Sequence, residues 1–257
     1  MSKSFAWGVI FGTALLIVIG VSASRLQDKK FKDEKQYQSE VKDATPIRVG
    51  VMTEQQKKHS KIYTYYKSQA DSMPTYKRIS DLYLNPKGRV MKVIVGVGLS
   101  PLPEPETPEM FFGKLMHESD IVIEGTVIKK DSQITEDDLF IFTDYEIVVE
   151  QILGNNIAAP LSLGQSITVT RPGGTVSVNG IVVKAVDERF TPLPFNRSVI
   201  LFLKLVPETG AYKATQYTGS FESDGVSVYP LTEAHLPPGV LQDRPSLLRT
   251  LRNVADK

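Results

Sequence analysis

Short apolar segments separated by glycine-rich turns run through the middle of the chain, from residue 121 to residue 204. Between residues 143 and 150, apolar residues such as Ile147 and Val149 alternate with acidic residues such as Asp144 and Glu146. A period of two indicates a strand with one buried face and one solvent-exposed face. Because no long helical pattern separates the segments, they predict a mainly β protein in which the strands form a closed barrel or a sandwich.

Turn residues divide this region into short strands. Gly173-Gly174 and Asn179-Gly180 interrupt the apolar pattern, and Asp224-Gly225 between two short apolar segments is typical of a tight β-hairpin. The most apolar segment runs from Val199 to Leu203. We therefore expect Ile147, Val149 and Leu201 to lie inside the folded sheet.

The N-terminus, residues 1–24, has the pattern of a signal anchor or a signal peptide. Phe5 to Val21 is an uncharged run of 17 residues, and a helix of that length, rising about 1.5 Å per residue, nearly crosses a bilayer core of about 30 Å. We therefore expect an N-terminal apolar helix that contacts the membrane through residues 5–21. Small residues at 21–23 would also suit cleavage by signal peptidase, so both alternatives stay open.

The location of the rest of the chain depends on how this segment is oriented. A short apolar segment before a folded domain is typical of export, which favours an extracytoplasmic body that is membrane-anchored or secreted. Lys and Arg are frequent directly after the run, however, and the positive-inside tendency would keep that side in the cytoplasm.

Charge is distributed unevenly, which sets residues 25–100 apart as a basic arm. Residues 25–92 hold 16 Lys and Arg against 8 Asp and Glu, whereas residues 93–257 hold 13 against 21. The net charge of the whole chain is only +1. A basic arm of this kind could contact anionic lipid, nucleic acid or the acidic part of its own chain.

The arm is expected to be mostly helical, with one strand between residues 89 and 99. Thr53 and Gln56 have the spacing of a capping box, which predicts a helix from there to about Ser68. Its interleaved Lys and Tyr residues could contact phosphates and stack on bases, although a surface helix that docks its aromatic side chains on the barrel is the alternative. This set comprises Lys57, Lys58, Lys61, Tyr65 and Tyr66. His59 lies alone in this helix and is expected to be solvated or hydrogen-bonded rather than a metal ligand.

Four prolines in residues 101–108 predict a stiff linker and a domain boundary. Thr107 followed by Pro108 fits the N-cap and first position of a short helix. We expect the barrel domain to occupy residues 109–235, and residues 236–257 to form a loop and an amphipathic helix that covers an open edge or end of the barrel. The apolar face of that helix consists of Leu247, Leu248, Leu251 and Val254.

The strand pattern from Ser119 to Phe221 resembles that of a group of uncharacterised exported bacterial proteins. The segments that carry the resemblance are 119–127, 144–154, 167–174 and 199–203. The pattern is also distantly similar to the netrin-like domain of tissue inhibitors of metalloproteinases. This resemblance implies a small OB-like closed barrel of about five to seven strands, and OB barrels often bind oligonucleotides or oligosaccharides. The inhibitors' amino-terminal cysteine has no counterpart here, because the chain has no cysteine, so their mechanism does not carry over.

Recognisable catalytic motifs are absent from the sequence, and we predict no catalytic residue, metal site or cofactor. Two clusters remain as weak ligand-binding candidates. The first is Arg171 with Gly173 and Gly174, which could bind an anion through a guanidinium and free backbone amides, or could simply form a turn or bulge. The second is Asp187, Glu188 and Arg189, which could hold a cation, act as acid and base, or form a surface ion-pair loop.

Three functions are compatible with this sequence. The first is a non-catalytic binding or protein-interaction module of the cell envelope, with an unknown protein or small molecule as ligand. The second is an envelope enzyme that uses the carboxylates of Asp187 and Glu188 with Arg171 or Arg189 as electrostatic helper. The third, nucleic-acid binding through the basic arm, requires a cytoplasmic body and is the least favoured.

Overall fold

The computed structural model describes residues 38–39, 42, 44–46, 51–63, 78–84, 90–95, 107–157, 161–232, 236 and 243–255. The chain divides into two units, Met1–Asp43 and Ala44–Lys257. Three helical residues of the first unit are described, and every element below belongs to the second. The expected apolar helix at residues 5–21 and the expected linker at 101–106 lie outside the described residues. Within the described ranges, no helix has the length and apolar character needed to span a membrane.

The second unit is mainly β, as the alternating pattern predicts. Its helices are α1 (Glu54–Ile62), α2 (Ile79–Leu84), α3 (Pro108–Glu118) and α4 (Arg244–Ala255). Its strands are β1 (Thr45–Pro46), β2 (Val90–Val95), β3 (Ile121–Ile134), β4 (Ile141–Asn155), β5 (Ser166–Pro172), β6 (Gly174–Val178), β7 (Ile181–Asp187), β8 (Ser198–Val206), β9 (Ala211–Ala214), β10 (Ser220–Ser223) and β11 (Val228–Pro230).

Seven of the strands form one sheet in the order β11-β10-β8-β3-β4-β5-β9, and β8 also pairs with β9. Following the pairings from β8 through β3, β4, β5 and β9 therefore leads back to β8, and we call these five strands the five-strand ring. Only the β5–β9 pairing within it is parallel. The Asp224-Gly225 hairpin is confirmed, since β10 and β11 are antiparallel and Gly225 has a φ of 89°.

The other sheet has four strands in the order β1-β6-β7-β2. Its centre is the β6–β7 hairpin, where Asn179 and Gly180 both have positive φ and form the expected tight turn. Its outer strands come from the basic arm: β1 pairs in parallel with β6, and β2 pairs in parallel with β7. The described part of the arm thus contains the predicted strand, β2, and a two-residue strand, β1, that was not predicted. β2 pairs with β7, and β1 pairs with β6.

Apolar side chains gather in three clusters. One lies on the inward face of the five-strand ring and includes Ile147, Val149 and Leu201, all fully buried as expected. Another contains residues of the four-stranded sheet and includes Tyr63, the residue directly after α1. The third joins α3 and α4 to the opposite face of β8 and includes Phe202. β8 is apolar from Val199 to Leu203 because both of its faces are buried over these residues.

One helix prediction needs correction. The capping box at Thr53 and Gln56 is present, but α1 ends at Ile62 and not near Ser68. Tyr63 leaves the helical conformation and packs its ring on Phe142, with 5.7 Å between the ring centroids, so a tertiary contact ends the helix. The C-terminal helix α4 packs beside α3 and Phe202 of β8, and Val228 of the edge strand β11 belongs to the same cluster. The reason is that the face of β8 that carries Phe202 offers a wide apolar surface.

Candidate functional site

Arg171 is a buried cation near the end of β5, in the row of side chains that face inwards. Ile167 and Val169 belong to the apolar cluster inside the five-strand ring, and Arg171 is the next residue on the same side of the strand. Successive residues of a strand point to opposite faces, so alternation alone directs this side chain inwards. Arg171 is only 2% exposed and is the largest fully buried side chain among the described residues.

The guanidinium of Arg171 is only partly satisfied. Its Nη1 donates a hydrogen bond of 2.8 Å to the Ser220 hydroxyl, and its carbon lies 5.4 Å from the ring centroid of Phe190. Its Nε and Nη2 are buried and have no hydrogen-bond partner in the described part of the chain. Burial lowers the pKa of Arg171 from its usual value, and burial also raises the pKa of neighbouring Tyr145, so that phenol supplies no counter-charge.

Arg171 lines a cavity of about 440 Å³ between the end of α1 and the strands β5, β8 and β9. The lining residues are Ile62, Tyr63, Glu118, Thr170, Arg171, Pro172, Phe190, Lys204, Lys213, Ala214 and Thr215. Lys204 and Lys213 are direct cross-strand partners and both are exposed. Like charges that face each other across two strands destabilise the pair. The cavity therefore has three cationic residues against one carboxylate, that of Glu118.

In the second predicted cluster, Asp187 and Arg189 form an ion pair with each other. Asp187 is 1% exposed, and Arg189 donates to its two carboxylate oxygens, from Nε at 3.0 Å and from Nη2 at 2.6 Å. Arg189 also lies 5.8 Å from the ring centroid of Phe190, so the fold brings Arg171 and Arg189 to one aromatic side chain. Glu188 is exposed. None of the three predicted residues of this cluster is among those that line the cavity.

Gly173 and Gly174 make the junction between β5 and β6. The Gly173 N–H donates to the Ile141 carbonyl at 2.8 Å, so this amide is not available to an anion. Gly173 has a φ of 90°, which glycine adopts without strain. A Cβ on Gly174 would collide with the hydroxyls of Thr143 and Ser132. These contacts fit the interpretation of a turn, and of the first candidate cluster they leave Arg171 as the group with unused donors.

The described lysines of α1 contact the protein itself. Lys57 forms an ion pair of 2.6 Å with Glu54, and Lys58 donates to the Glu208 carbonyl at 3.1 Å. Tyr65 and Tyr66 lie outside the described residues. Of the alternatives for the basic arm, these contacts favour docking against its own chain.

Sequence reasoning missed the contact that holds α1 in place. His59 is fully buried, with Nδ1 2.9 Å from both carboxylate oxygens of Asp144 and Nε2 3.1 Å from the Thr209 hydroxyl. The signal was available, because Gln56, His59, Ser60 and Tyr63 have the i, i+3, i+4, i+7 spacing of a buried helix face. Three of these four residues are polar, so the helix face lacks the apolar pattern that normally predicts burial.

An acid, a histidine and a hydroxyl in this order are also the parts of a catalytic triad. Here the Thr209 hydroxyl belongs to a turn, in which it accepts the Ala211 N–H at 3.2 Å. The N–H groups of Thr209 and Gly210 both donate to the Val206 carbonyl, so the turn offers neither as an oxyanion donor. His59 and Thr209 do not line the cavity either. We therefore interpret the three residues as a clamp between α1 and the five-strand ring.

Comparison of the sequence with protein-family models and with curated proteins found no match. The described residues also contain no group of three or more His, Asp or Glu side chains that could hold a metal ion. Function therefore has to be argued from the cavity and the residues around it.

Proposed function

We propose that this protein is a non-catalytic binding module of the cell envelope, built on an OB-like closed barrel, and that it holds its ligand in the cavity beside Arg171. The barrel is supported by the ring of pairings through β8, β3, β4, β5 and β9. The apolar cluster on the inward face of these strands supports it as well. Five-stranded barrels of this kind commonly carry ligand sites, although a fold alone does not set a function.

One observation carries the proposal: a cavity of about 440 Å³ is lined by apolar and aromatic side chains together with the cationic residues Arg171, Lys204 and Lys213. Small-molecule sites are typically concave, mostly apolar and furnished with a few convergent polar groups, with volumes of roughly 300–1,000 Å³.

A binding role fits this site better than catalysis. A general acid or base has to reach the reacting group, and the enzyme alternative needs Asp187 and Glu188 in one pocket. The Asp187 carboxylate is held by Arg189, and Glu188 is exposed and apart from the cavity lining. The carboxylate of Glu118, which does line the cavity, accepts a hydrogen bond from Gln216.

The proposed location is extracytoplasmic, with the protein anchored through residues 5–21 or released after cleavage. This part of the proposal depends on the uncharged run from Phe5 to Val21. Reporter fusions at the C-terminus test it: activity of a periplasm-type reporter alone supports export, and activity of a cytoplasmic reporter alone contradicts it.

Binding itself is tested by NMR with the full chain and a screen of neutral, cationic and anionic fragments. We expect ligands to shift the backbone amide signals of Thr170, Ala214 and Thr215, and we expect Ala214→Trp, which fills the cavity, to abolish these shifts. Leu163→Trp is the matched control, because Leu163 is 66% exposed and does not line the cavity. Absence of any shift at the cavity, or chemical conversion of a bound fragment, would overturn the proposal.

A further inference from the structure

The cavity opens on the outward face of the five-strand ring. Lys204 of β8 and Lys213 of β9 are cross-strand partners, and Lys213 is in turn the partner of Thr170 on β5. Side chains of residues that face each other across neighbouring strands lie on the same side of a sheet. Tyr63 is on this side as well, because its hydroxyl donates to the Thr170 hydroxyl at 3.0 Å. The Arg171 side chain faces the inside of the ring, so its donors are not needed for a site on the outward face.

The two lysines belong to a row of five outward-facing positions, one from each strand of the five-strand ring. Each neighbouring pair in the row is a direct cross-strand pair. We call this row the outward belt, and its members in order are Asp131, Asp144, Thr170, Lys213 and Lys204. Charge therefore changes sign along the belt, from two acids at one end to two lysines at the other.

Helix α1 lies over the acidic end and the middle of the outward belt. Gln56 donates to the carboxylate of Asp131 at 3.0 Å. His59 contacts the carboxylate of Asp144 at 2.9 Å. Tyr63, directly after the last helical residue, makes the contact at the middle position. Both acids of the belt are thus matched by side chains of the protein itself.

The basic end of the outward belt has no such match. Lys204 and Lys213 are exposed, and neither makes a hydrogen bond or an ion pair with any described residue. Like charges directly opposite each other destabilise a strand pair. Glu118, the carboxylate that lines the cavity, accepts a hydrogen bond from Gln216 and lies 4.0 Å from Lys114. The described chain therefore leaves two neighbouring ammonium groups at the cavity without an anion.

We propose that the ligand carries a phosphate monoester and places the phosphate between Lys204 and Lys213. The inference rests on the proposed binding function and names its ligand class. A phosphate monoester has about −1.5 to −2 charges at neutral pH, so one such group neutralises both lysines, whereas a carboxylate neutralises only one. Lysine also binds phosphate as a point charge. Ile62 and Phe190 are partly exposed and line the same cavity, so the rest of the ligand is apolar.

Three phenyl compounds of nearly the same shape and different charge test the proposal, by NMR titration of the full chain. At a pH of about 8, phenyl phosphate is a dianion, phenyl sulfate is a monoanion and phenyl methanesulfonate is neutral. We expect phenyl phosphate to bind about 3-fold to 30-fold more tightly than the neutral compound, with phenyl sulfate in between, because each lysine contributes one exposed ion pair. The differences should shrink in about 1 M salt, which screens exposed charges.

Variants of the two lysines locate the effect. Lys204→Gln and Lys213→Gln should each lower the affinity for phenyl phosphate by about 2-fold to 5-fold, and the double variant should bind the three compounds equally. Neither single variant should be less stable than the parent protein, because each removes a repulsion. Lys92→Gln is the matched control: Lys92 is an exposed lysine that also faces a lysine, Lys184, across two strands, but neither lines the cavity.

Several results would overturn the inference. Equal affinity for the three compounds would contradict the phosphate while leaving the binding module intact, and so would failure of all three while other fragments shift the cavity amides. Unchanged affinity for phenyl phosphate in the double variant would place its site elsewhere. Inorganic phosphate that binds as tightly as phenyl phosphate would indicate an adventitious ion only. If no fragment at all shifts the cavity amides, the proposed function itself is wrong.

Discussion

Two regions of this molecule place an arginine in or near a protein core, and they do so in opposite ways. At the start of α4, Arg244 is 28% exposed and holds the buried carboxylate of Glu124 with two hydrogen bonds. At the end of β5, Arg171 is 2% exposed and contacts a hydroxyl and an aromatic ring, and its Nε and Nη2 have no hydrogen-bond partner in the described part of the chain. The hydrogen bond to Glu124 raises the pKa of Arg244, whereas burial lowers the pKa of Arg171.

The difference separates an arginine that neutralises a buried carboxylate from one that no carboxylate of the described chain holds. Glu124 is committed to Arg244, so removal of either leaves an uncompensated group inside the protein. No carboxylate of the described chain depends in the same way on Arg171. If this distinction is correct, the two arginines should respond very differently to the same substitution.

The largest effect on stability is expected from substitution of Arg244, at the start of α4. Arg244→Met should lower the free energy of unfolding by about 3 kcal/mol, because the 4% exposed Glu124 loses its counter-charge. Urea unfolding monitored by circular dichroism measures this loss. Adding Glu124→Gln to the Arg244→Met variant should recover part of it, and a double variant as unstable as the single one would contradict the pairing.

The second-largest effect on stability is expected from a substitution in α1, whose end lines the cavity. His59→Leu removes the contacts to Asp144 and Thr209 that clamp α1, and we expect a loss of about 2 kcal/mol in unfolding free energy. Asp144 is 13% exposed and can regain water, so the loss should be smaller than at Arg244. Ile62 and Tyr63 line the cavity from the end of α1, so ligand binding in the cavity should weaken as well. Unchanged binding in this variant would show that α1 is not needed as a wall.

A smaller effect is expected at Arg171 itself. Arg171→Met leaves no carboxylate of the described chain without a partner and removes a buried cation, so the unfolding free energy should change by less than about 1 kcal/mol, in either direction. A loss of stability as large as that of Arg244→Met would show that Arg171 is a structural residue and would end the comparison.

The smallest effect is expected from Asp243, which precedes Arg244 and accepts hydrogen bonds from the N–H and hydroxyl of Ser246. These bonds hold the pKa of Asp243 below its usual value. A carboxylate with a lowered folded-state pKa stabilises the protein above its unfolded pKa, and this contribution is lost as pH falls through the folded pKa. Asp243→Asn should therefore differ from the parent protein in the pH dependence of stability only below about pH 4. A difference that persists unchanged to lower pH would contradict the assignment.

Several features of the fold were predictable because they depend on neighbours in sequence. Alternation between Tyr145 and Val149 predicted which face of β4 is buried, and this face is buried. Asp224-Gly225 requires a tight turn whatever surrounds it. Thr107 and Pro108 predicted the start of α3, and Thr107 caps it by accepting from the Met110 N–H.

The candidate site was predictable only in part. Arg171 and Arg189 were predicted as ligand-binding candidates, but no local pattern shows that Asp187 would be bonded to Arg189 while Arg171 remains without an acid. Lys204 and Lys213 were not among the predicted site residues, because they become neighbours only when β8 and β9 pair. His59 was considered alone for the same reason, since Asp144 is 85 residues away in the chain.

What the sequence by itself determined is most of the strands, the buried face of β4 and the tight turns. Each of these follows from side-chain alternation or from the backbone preferences of a few adjacent residues. Only the tertiary structure decided that β1 and β2 pair in parallel with β6 and β7, that β8 pairs with β9, and that a cavity with three cations results. The physical reason is that pairing between distant segments is selected by burial and charge summed over the whole fold, and no short stretch of sequence contains that sum.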